Sequence, residues 1–289
     1  MAQYFALHPA TFKLDGGAMF GIIPKPLWEK QIPADELNRI HLSLRVLCIK
    51  TDTRVILIDT GIGDYHDAKF ADRFAIQGSA NPLVEVVQQE LNIPPQAVTD
   101  LVVTHLHFDH VGGLGDQKAQ FIFPNARLHL HRAHYQYALS PTIRDAGSFQ
   151  SEYFRPVIEA LAVAQRIVWH DGERGVLLND GAYTLNFRTS HGHTPWLMHP
   201  FDDKFIYMAD LVPTSAHVPL AWVMGYDIAP GVSTQDKASF YHDIAAQNLM
   251  MIFEHDVRCA GARINWDGKA ATITERLSSS GNKLEPLVL

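Results

Sequence analysis

The sequence predicts a protein of the α/β class with its chemistry gathered on one rim of a sheet. Three observations carry this. Apolar, β-branched runs of strand length alternate with amphipathic helical stretches and polar loops. Four such runs end in histidine or aspartate: the stretch 105–110, His193, Asp210 and His255. In the first of these, Thr104-His105-Leu106-His107-Phe108-Asp109-His110, three histidines and one aspartate fall within six residues. Imidazoles and carboxylates are the ligand set of zinc and similar divalent cations. That density argues against a surface loop that merely happens to be rich in histidine.

The chain has 289 residues, 47% hydrophobic and 19% charged, enough to bury a substantial core. Its net charge is −7 and it has no basic tract, which argues against a duplex nucleic-acid partner. No run approaches the apolar length needed to cross a bilayer. The first residues lack the basic region and long apolar core of a signal peptide. Cys48 and Cys259 are the only cysteines, too few for a disulfide framework, and Cys48 reads as a reduced core thiol. The expectation is a cytoplasmic protein without a membrane partner. Histidine, at 16 residues, is the compositional oddity, and it suits a metal site.

Taken in order, residues 8–28 read as a loop, with Gly16-Gly17, Gly21, Pro24 and Pro26 among apolar side chains. Met19, Phe20 and Trp28 there either pack over the core or wall a substrate pocket or subunit contact. Residues 41–60 read as a hairpin turning at Thr51-Asp52-Thr53. Asp59 at its end is either a turn cap or the acceptor of a hydrogen bond from a ligating histidine. Residues 62–80 form a polar, aromatic loop or short helix. Residues 82–91 have helical apolar spacing, start at Asn81-Pro82 and are stopped by Pro94-Pro95. Residues 98–103 are a strand leading into the histidine loop, whose Gly112-Gly113 permit a tight turn. Residues 121–123 and 126–131 read as two more strands. His129, His131 and His134 fit the polar face of an edge strand better than a ligand set. Residues 133–166 are mostly helical, interrupted at Pro141 and Gly147, and suit a lid or pocket wall. A hairpin at 176–190, strands at 204–209 and 250–253, a helix at 235–249 and an edge strand near 271–275 complete the pattern.

These residues together resemble the metallo-β-lactamase-fold hydrolases. The stretch 104–113 matches their signature, and Asp59-Thr60-Gly61, Gly192-His193-Thr194, Asp210 and His255 follow in the family's order. The resemblance spans about residues 40–260. It implies a four-layer αββα sandwich of two mixed β-sheets flanked by helices. That fold would be a single domain over 1–289, with an N-terminal arm at 1–40 and a helical insertion at 133–166. It implies a dinuclear site for two divalent cations, zinc foremost, with Mn, Fe or Co also compatible. His105, His107 and His193 would hold the first, Asp109, His110 and His255 the second, and Asp210 would bridge them. Zinc β-lactamases place a cysteine near the Asp210 step, and none is present here. Flavodiiron oxidoreductases usually have an acid where this chain has His107.

Within the family, Gly16-Gly17-Ala18-Met19-Phe20-Gly21 with Pro24-Lys25 and Trp28 is similar to the N-terminal segment of quorum-quenching N-acyl-homoserine lactonases and of methyl-parathion-hydrolase-like proteins. Asp210-Leu211-Val212-Pro213-Thr214 is also lactonase-like. The resemblance implies a hydrolase that opens lactone rings. A metal-bridging hydroxide attacks the carbonyl, with Asp109 and Asp210 as catalytic residues and Asp109 carrying the proton to the leaving alkoxide. Met19, Phe20, Trp28 and Trp222 are expected to contact the acyl tail. Several lactonases have a tyrosine three residues after the bridging aspartate. Pro213 stands there here, leaving His217 or Tyr226 as substitutes, or the metal alone. The runner-up is an organophosphate triesterase using the same site. A glutathione thioesterase would want a basic patch that the sequence lacks, and a metal-stabilised binding protein sits badly with a full ligand set. The apolar arm suggests a homodimer.

Overall fold

A computed structural model describes residues 2–78, 82–116, 118 and 120–289. The helix start read at Asn81 lies outside the described residues. In chain order the strands are β1 (Gln3–Leu7), β2 (Ala10–Asp15), β3 (Arg39–Ser43), β4 (Val46–Lys50), β5 (Val55–Ile58), β6 (Gln77–Gly78), β7 (Asp100–Val102), β8 (Arg127–His131), β9 (Ile167–His170), β10 (Arg174–Asn179), β11 (Thr184–Ser190), β12 (Leu197–Phe201), β13 (Phe205–Tyr207), β14 (Met250–Ile252), β15 (Cys259–Trp266), β16 (Ala271–Ser278) and β17 (Leu284–Leu287). The helices are α1 (Gly16–Phe20), α2 (Lys25–Trp28), α3 (Ala68–Arg73), α4 (Pro82–Gln89), α5 (Phe108–Val111), α6 (Arg132–Ala138), α7 (Ser151–Val163) and α8 (Pro230–Gln247).

Two seven-stranded sheets form the body, in the orders β17-β1-β4-β5-β7-β8-β9 and β10-β11-β12-β13-β14-β15-β16. Both are mixed. The first is parallel from β5 to β9, and the second has one parallel pair, β13–β14. Strand alternation sorts the apolar residues into layers. Leu47, Ile49, Ile56 and Ile58 of the first sheet meet Phe205, Tyr207, Met250 and Ile252 of the second. Their neighbours Val46, Cys48 and Leu57 point the other way, onto Val86 and Val87 of α4 and Val157 and Ile158 of α7. Ile206 and Met251 likewise face Phe240 and Ile244 of α8. Helix, sheet, sheet and helix are therefore stacked as the resemblance implied.

Several local expectations need correction. Residues 10–15 are not loop but strand β2, the centre of a three-stranded sheet β3-β2-β6. The run 41–50 breaks at Leu44-Arg45. The break lets Ser43 and Arg45 donate backbone hydrogen bonds to the His255 and Glu254 carbonyls. Residues 121–123 make one isolated bridge, Phe121 with Gly115, rather than a strand. β8 is not an edge strand, because β9 pairs beyond it. His129 and His131 face the second sheet, and their alternation with leucine imitates a solvated face. They are buried and bonded instead: His129 Nε2–H donates to Asp100 (3.0 Å), and its Nδ1 accepts from His170 (3.1 Å).

Burial holds three further histidines well below the usual imidazole range: His199 to about 3, and His134 and His217 to about 4. Their folded pKa values are depressed, so below pH 6.5 the unfolded chain binds protons that the folded chain refuses. Stability should fall as pH drops from 6.5 toward 4, by up to about 2 kcal/mol per fully buried histidine at pH 5. Urea unfolding midpoints measured in chelator from pH 6.5 to 4.5 check this, below the range in which the raised His193 and His255 gain most of their protons. A midpoint that stays flat would count against neutral buried histidines.

Candidate metal centre

The functional side chains lie where strands end. Asp59 follows β5, the 105–110 stretch follows β7, His193 follows β11, Asp210 follows β13 and His255 follows β14. β5 runs parallel to β7, and β13 to β14, so each pair delivers its ends to one rim. Close backbone approach holds the histidine loop there. A Cβ on Gly112 would sit 2.2 Å from the Ile62 carbonyl oxygen, and one on Gly113 would sit 2.4 Å from that of Thr60. Only glycine permits these contacts.

Among the described residues, ligand-type atoms converge in a first buried group of His105, His107, His193 and Asp210 and a second of Asp109, His110 and His255, and behind the second His110 also meets Asp59 and Glu254. Asp210 touches both the first and the second. Its Oδ2 lies 3.1 Å from His193 Nε2 and 3.8 Å from His105 Nε2. Its Oδ1 lies 3.1 Å from His255 Nε2 and 3.4 Å from His110 Nε2. Asp109 Oδ2 is 3.6 Å from His255 Nε2 and 3.8 Å from His110 Nε2.

The outer nitrogens orient the rings. His193 Nδ1–H donates to Asp227 (3.0 Å), which in turn accepts from Ser233 (2.7 Å). His255 Nδ1–H donates to the Ser43 carbonyl (2.8 Å), and His105 Nδ1–H to the Thr104 hydroxyl (3.0 Å). His110 Nδ1 faces Asp59 (3.1 Å) and Glu254 (2.9 Å). Asp59 also accepts from the Thr104 amide and hydroxyl, at 2.7 and 2.8 Å. With the outer nitrogens engaged, the inner nitrogens turn toward one another. His107 Nδ1 stands 3.1 Å from His105 Nε2 and 3.0 Å from His193 Nε2. Ligands about 2.0–2.1 Å from a tetrahedral cation are about 3.3 Å apart, which this spacing nearly matches. Buried His110 Nε2, His255 Nε2 and Asp210 Oδ1 make no hydrogen bond of normal geometry. The donor set and its orphaned atoms fit divalent cations.

Electrostatics agree. Burial lowers every one of these imidazoles, and it carries His105 and His107 well below their usual range. For His193 and His255 burial is outweighed by Asp210, which lifts both to about 9. Burial would raise Asp210, but His110, His193 and His255 hold it well below the carboxylate range. Burial pushes Glu254 up to about 7, with Asp59 adding to the effect. The cluster therefore demands positive charge at its centre.

A cavity of about 280 Å³ opens above the cluster, with His107, Asp109, His193, Asp210 and His255 on its floor. Leu14, Met19, Phe74, Phe108, Met224 and Tyr226 contribute its walls. A second cavity of about 320 Å³ beside α5 shares only Phe108 with it and reaches none of the ligand-type side chains. Of the four residues expected to contact a tail, Met19 alone lines the catalytic cavity. Phe20 and Trp28 are fully buried and stacked on each other at 5.2 Å, and Trp222 packs edge-on against Phe20. Phe20 and Trp28 of α1 and α2 join the buried cluster of Phe12, Ile40 and Leu42 instead. His217 is also out of reach. It stacks on Phe20, and its Nε2–H donates to the Met19 carbonyl (2.8 Å). Tyr226 remains, and burial raises its hydroxyl to about 12, so it stays a donor.

Sequence reasoning missed Asp227, Glu254 and Lys237, and it set His134 aside with the polar face of an edge strand. Glu254 carried a signal, an acid beside His255 at a strand end. Asp227 and Lys237 had none, because nothing local pairs them with the site. Lys237 is buried, and its Nζ donates to the carbonyls of His217 (2.6 Å), Pro219 (2.8 Å) and Trp222 (3.1 Å). It thereby holds the loop that leads to Tyr226 and Asp227.

A family model described as the metallo-beta-lactamase superfamily matches residues 46–255. The N-acyl homoserine lactonase AttM of Rhizobium johnstonii is 28% identical over 131 residues, 44% of this chain and 46% of that protein. The chain spans less than half the length of the curated relatives it matches. A probable metal-dependent hydrolase from Staphylococcus aureus superposes with a TM-score of 0.83 at 25% identity, covering 96% of this chain and 97% of that one. AidC, a dizinc quorum-quenching lactonase in complex with its product, superposes with a TM-score of 0.72 at 19% identity, covering 94% and 93%.

Occupancy of the two ligand groups should stabilise the fold. Zinc at one hundred times its dissociation constant is expected to add about 2.7 kcal/mol per site. Thermal midpoints with zinc and with chelator check this, and identical midpoints would contradict a metal centre.

Proposed function

The chain belongs to the metallo-beta-lactamase superfamily, and on that footing we propose that it is a metal-dependent hydrolase that opens lactone rings, N-acyl-homoserine lactones first among them. The observation that carries the reading is Asp210, whose two carboxylate oxygens face separate groups of buried ligand atoms beneath a largely apolar cavity. The lactonase AttM among the relatives supports the choice of substrate. His105, His107 and His193 with Asp210 would hold one cation, and Asp109, His110 and His255 with Asp210 the other, zinc being the proposed occupant. Two such cations would supply activated water near neutral pH and a positive field for the developing oxyanion.

The chain's own residues do the rest. The apolar walls take up the acyl tail and displace water from the reacting carbonyl. Tyr226 donates a hydrogen bond to that carbonyl, in the place where several lactonases use a tyrosine from the strand end. Water adds to the carbonyl carbon and the ring C–O bond breaks. Asp109, on the cavity floor, carries the water's proton to the departing alkoxide, and the product is an open hydroxy acid. Asp210 stays ionised throughout, because His110, His193 and His255 hold its carboxyl low. The exposed Ile22, Leu27 and Leu37 of the arm, 86%, 50% and 68% accessible, suit a homodimer contact, which a sedimentation mass tests.

Tyr226→Phe should lower kcat on N-hexanoyl-homoserine lactone by about 10²-fold with little change in KM. Steady-state kinetics of the zinc-loaded protein on that lactone and on paraoxon decide the substrate class. Turnover of paraoxon without turnover of any lactone would replace this reading with a phosphotriesterase.

A further inference from the structure

His134 lies on α6, outside both ligand groups, and is fully buried. Both of its ring nitrogens are engaged. Nε2 accepts a hydrogen bond from the backbone amide of Leu106 (2.8 Å), and Nδ1–H donates to the carbonyl of Pro195 (2.8 Å). Leu106 is the residue between His105 and His107, and Pro195 comes two residues after His193. One imidazole thus joins the loop at the end of β7 in the first sheet to the loop at the end of β11 in the second. Those two loops carry all three histidines of the first group.

We propose that His134 is a positioning residue for the first metal group, stapling its two ligand loops together across the gap between the sheets. This rests on the metal reading above and deepens it. Neutral imidazole suits the task, since it offers one acceptor and one donor on a rigid ring with few rotamers to order. Removing it strands a buried amide and a buried carbonyl on either side of the histidine trio. The second group has different supports. His255 is held by Ser43, and His110 by Asp59 and Glu254, and none of these touches His134. The effect of His134 should therefore be confined to one of the two groups.

The test separates the groups by variant background. His255→Ala leaves the first group intact, and His193→Ala leaves the second. In full-length protein, zinc affinity is measured by chelator competition in each background, alongside the thermal midpoint. His134→Leu should weaken zinc binding about 10- to 100-fold in the His255→Ala background and leave it unchanged in the His193→Ala background. His134→Gln, which keeps a donor and an acceptor, should restore most of the loss. Equal weakening in both backgrounds, or unchanged affinity with only a lowered midpoint, would overturn the proposal and leave His134 a general core residue. Because the readout is metal affinity, a failure of the lactone reading leaves it standing, while a parent protein that binds no zinc would remove the metal reading itself.

Discussion

A single buried carboxylate sets the terms for the rest of the molecule. Asp210 is held ionised inside the protein, with imidazoles from both sheets turned toward its two oxygens. Burying a charge is tolerable only when it is paired and hydrogen-bonded. The fold answers by delivering five strand ends to one rim and by giving the outer nitrogens of four histidines a partner each. The partners are ordinary groups: Asp227, Ser43, Thr104, and Asp59 with Glu254. Their common effect is to turn each remaining ring nitrogen inward, toward Asp210 and its neighbours.

Rigidity comes from backbone contacts rather than from the ligand side chains. Gly112 and Gly113 lie against the turn after β5 at distances no other residue allows. On the opposite side, Lys237 gathers several carbonyls of one loop around a buried ammonium, whose pKa burial lowers to about 7. Gly192 approaches the start of α8 as closely, with a Cβ there 2.2 Å from Ser233 nitrogen. Such contacts suit a site whose ligand atoms must stay within a few tenths of an ångström of their places.

Much of this was legible in the sequence, and the reasons are physical. Buried parallel strands give continuous apolar runs, so β5, β7, β13 and β14 could be read together with the residues that end them. The ligand-type residues stood out because histidine and aspartate rarely follow such runs together. The arm was harder. A stretch rich in glycine and proline with aromatic residues can wall a pocket or fill a core, and only tertiary packing decides. Phe20 and Trp28 went to the core and Met19 to the cavity. The β8 histidines misled for a related reason. Alternation reveals two faces, but it cannot say that the polar one is covered by another sheet. The supports of the site, Asp227, His134 and Lys237, are distant in sequence from what they hold, so no local pattern announces them.

The residues of the centre are drawn from widely spaced points in the chain. The first group needs positions from 105 to 210 and the second from 109 to 255. Neither group exists in any local fragment, because each takes ligands from both sheets. Bringing such distant segments together must follow chain closure over long loops, which is slow and comes late. A complete ligand group therefore exists only once the two sheets have docked. A single sheet carries only part of each group, so whatever separates the two sheets also dismantles the ligand set.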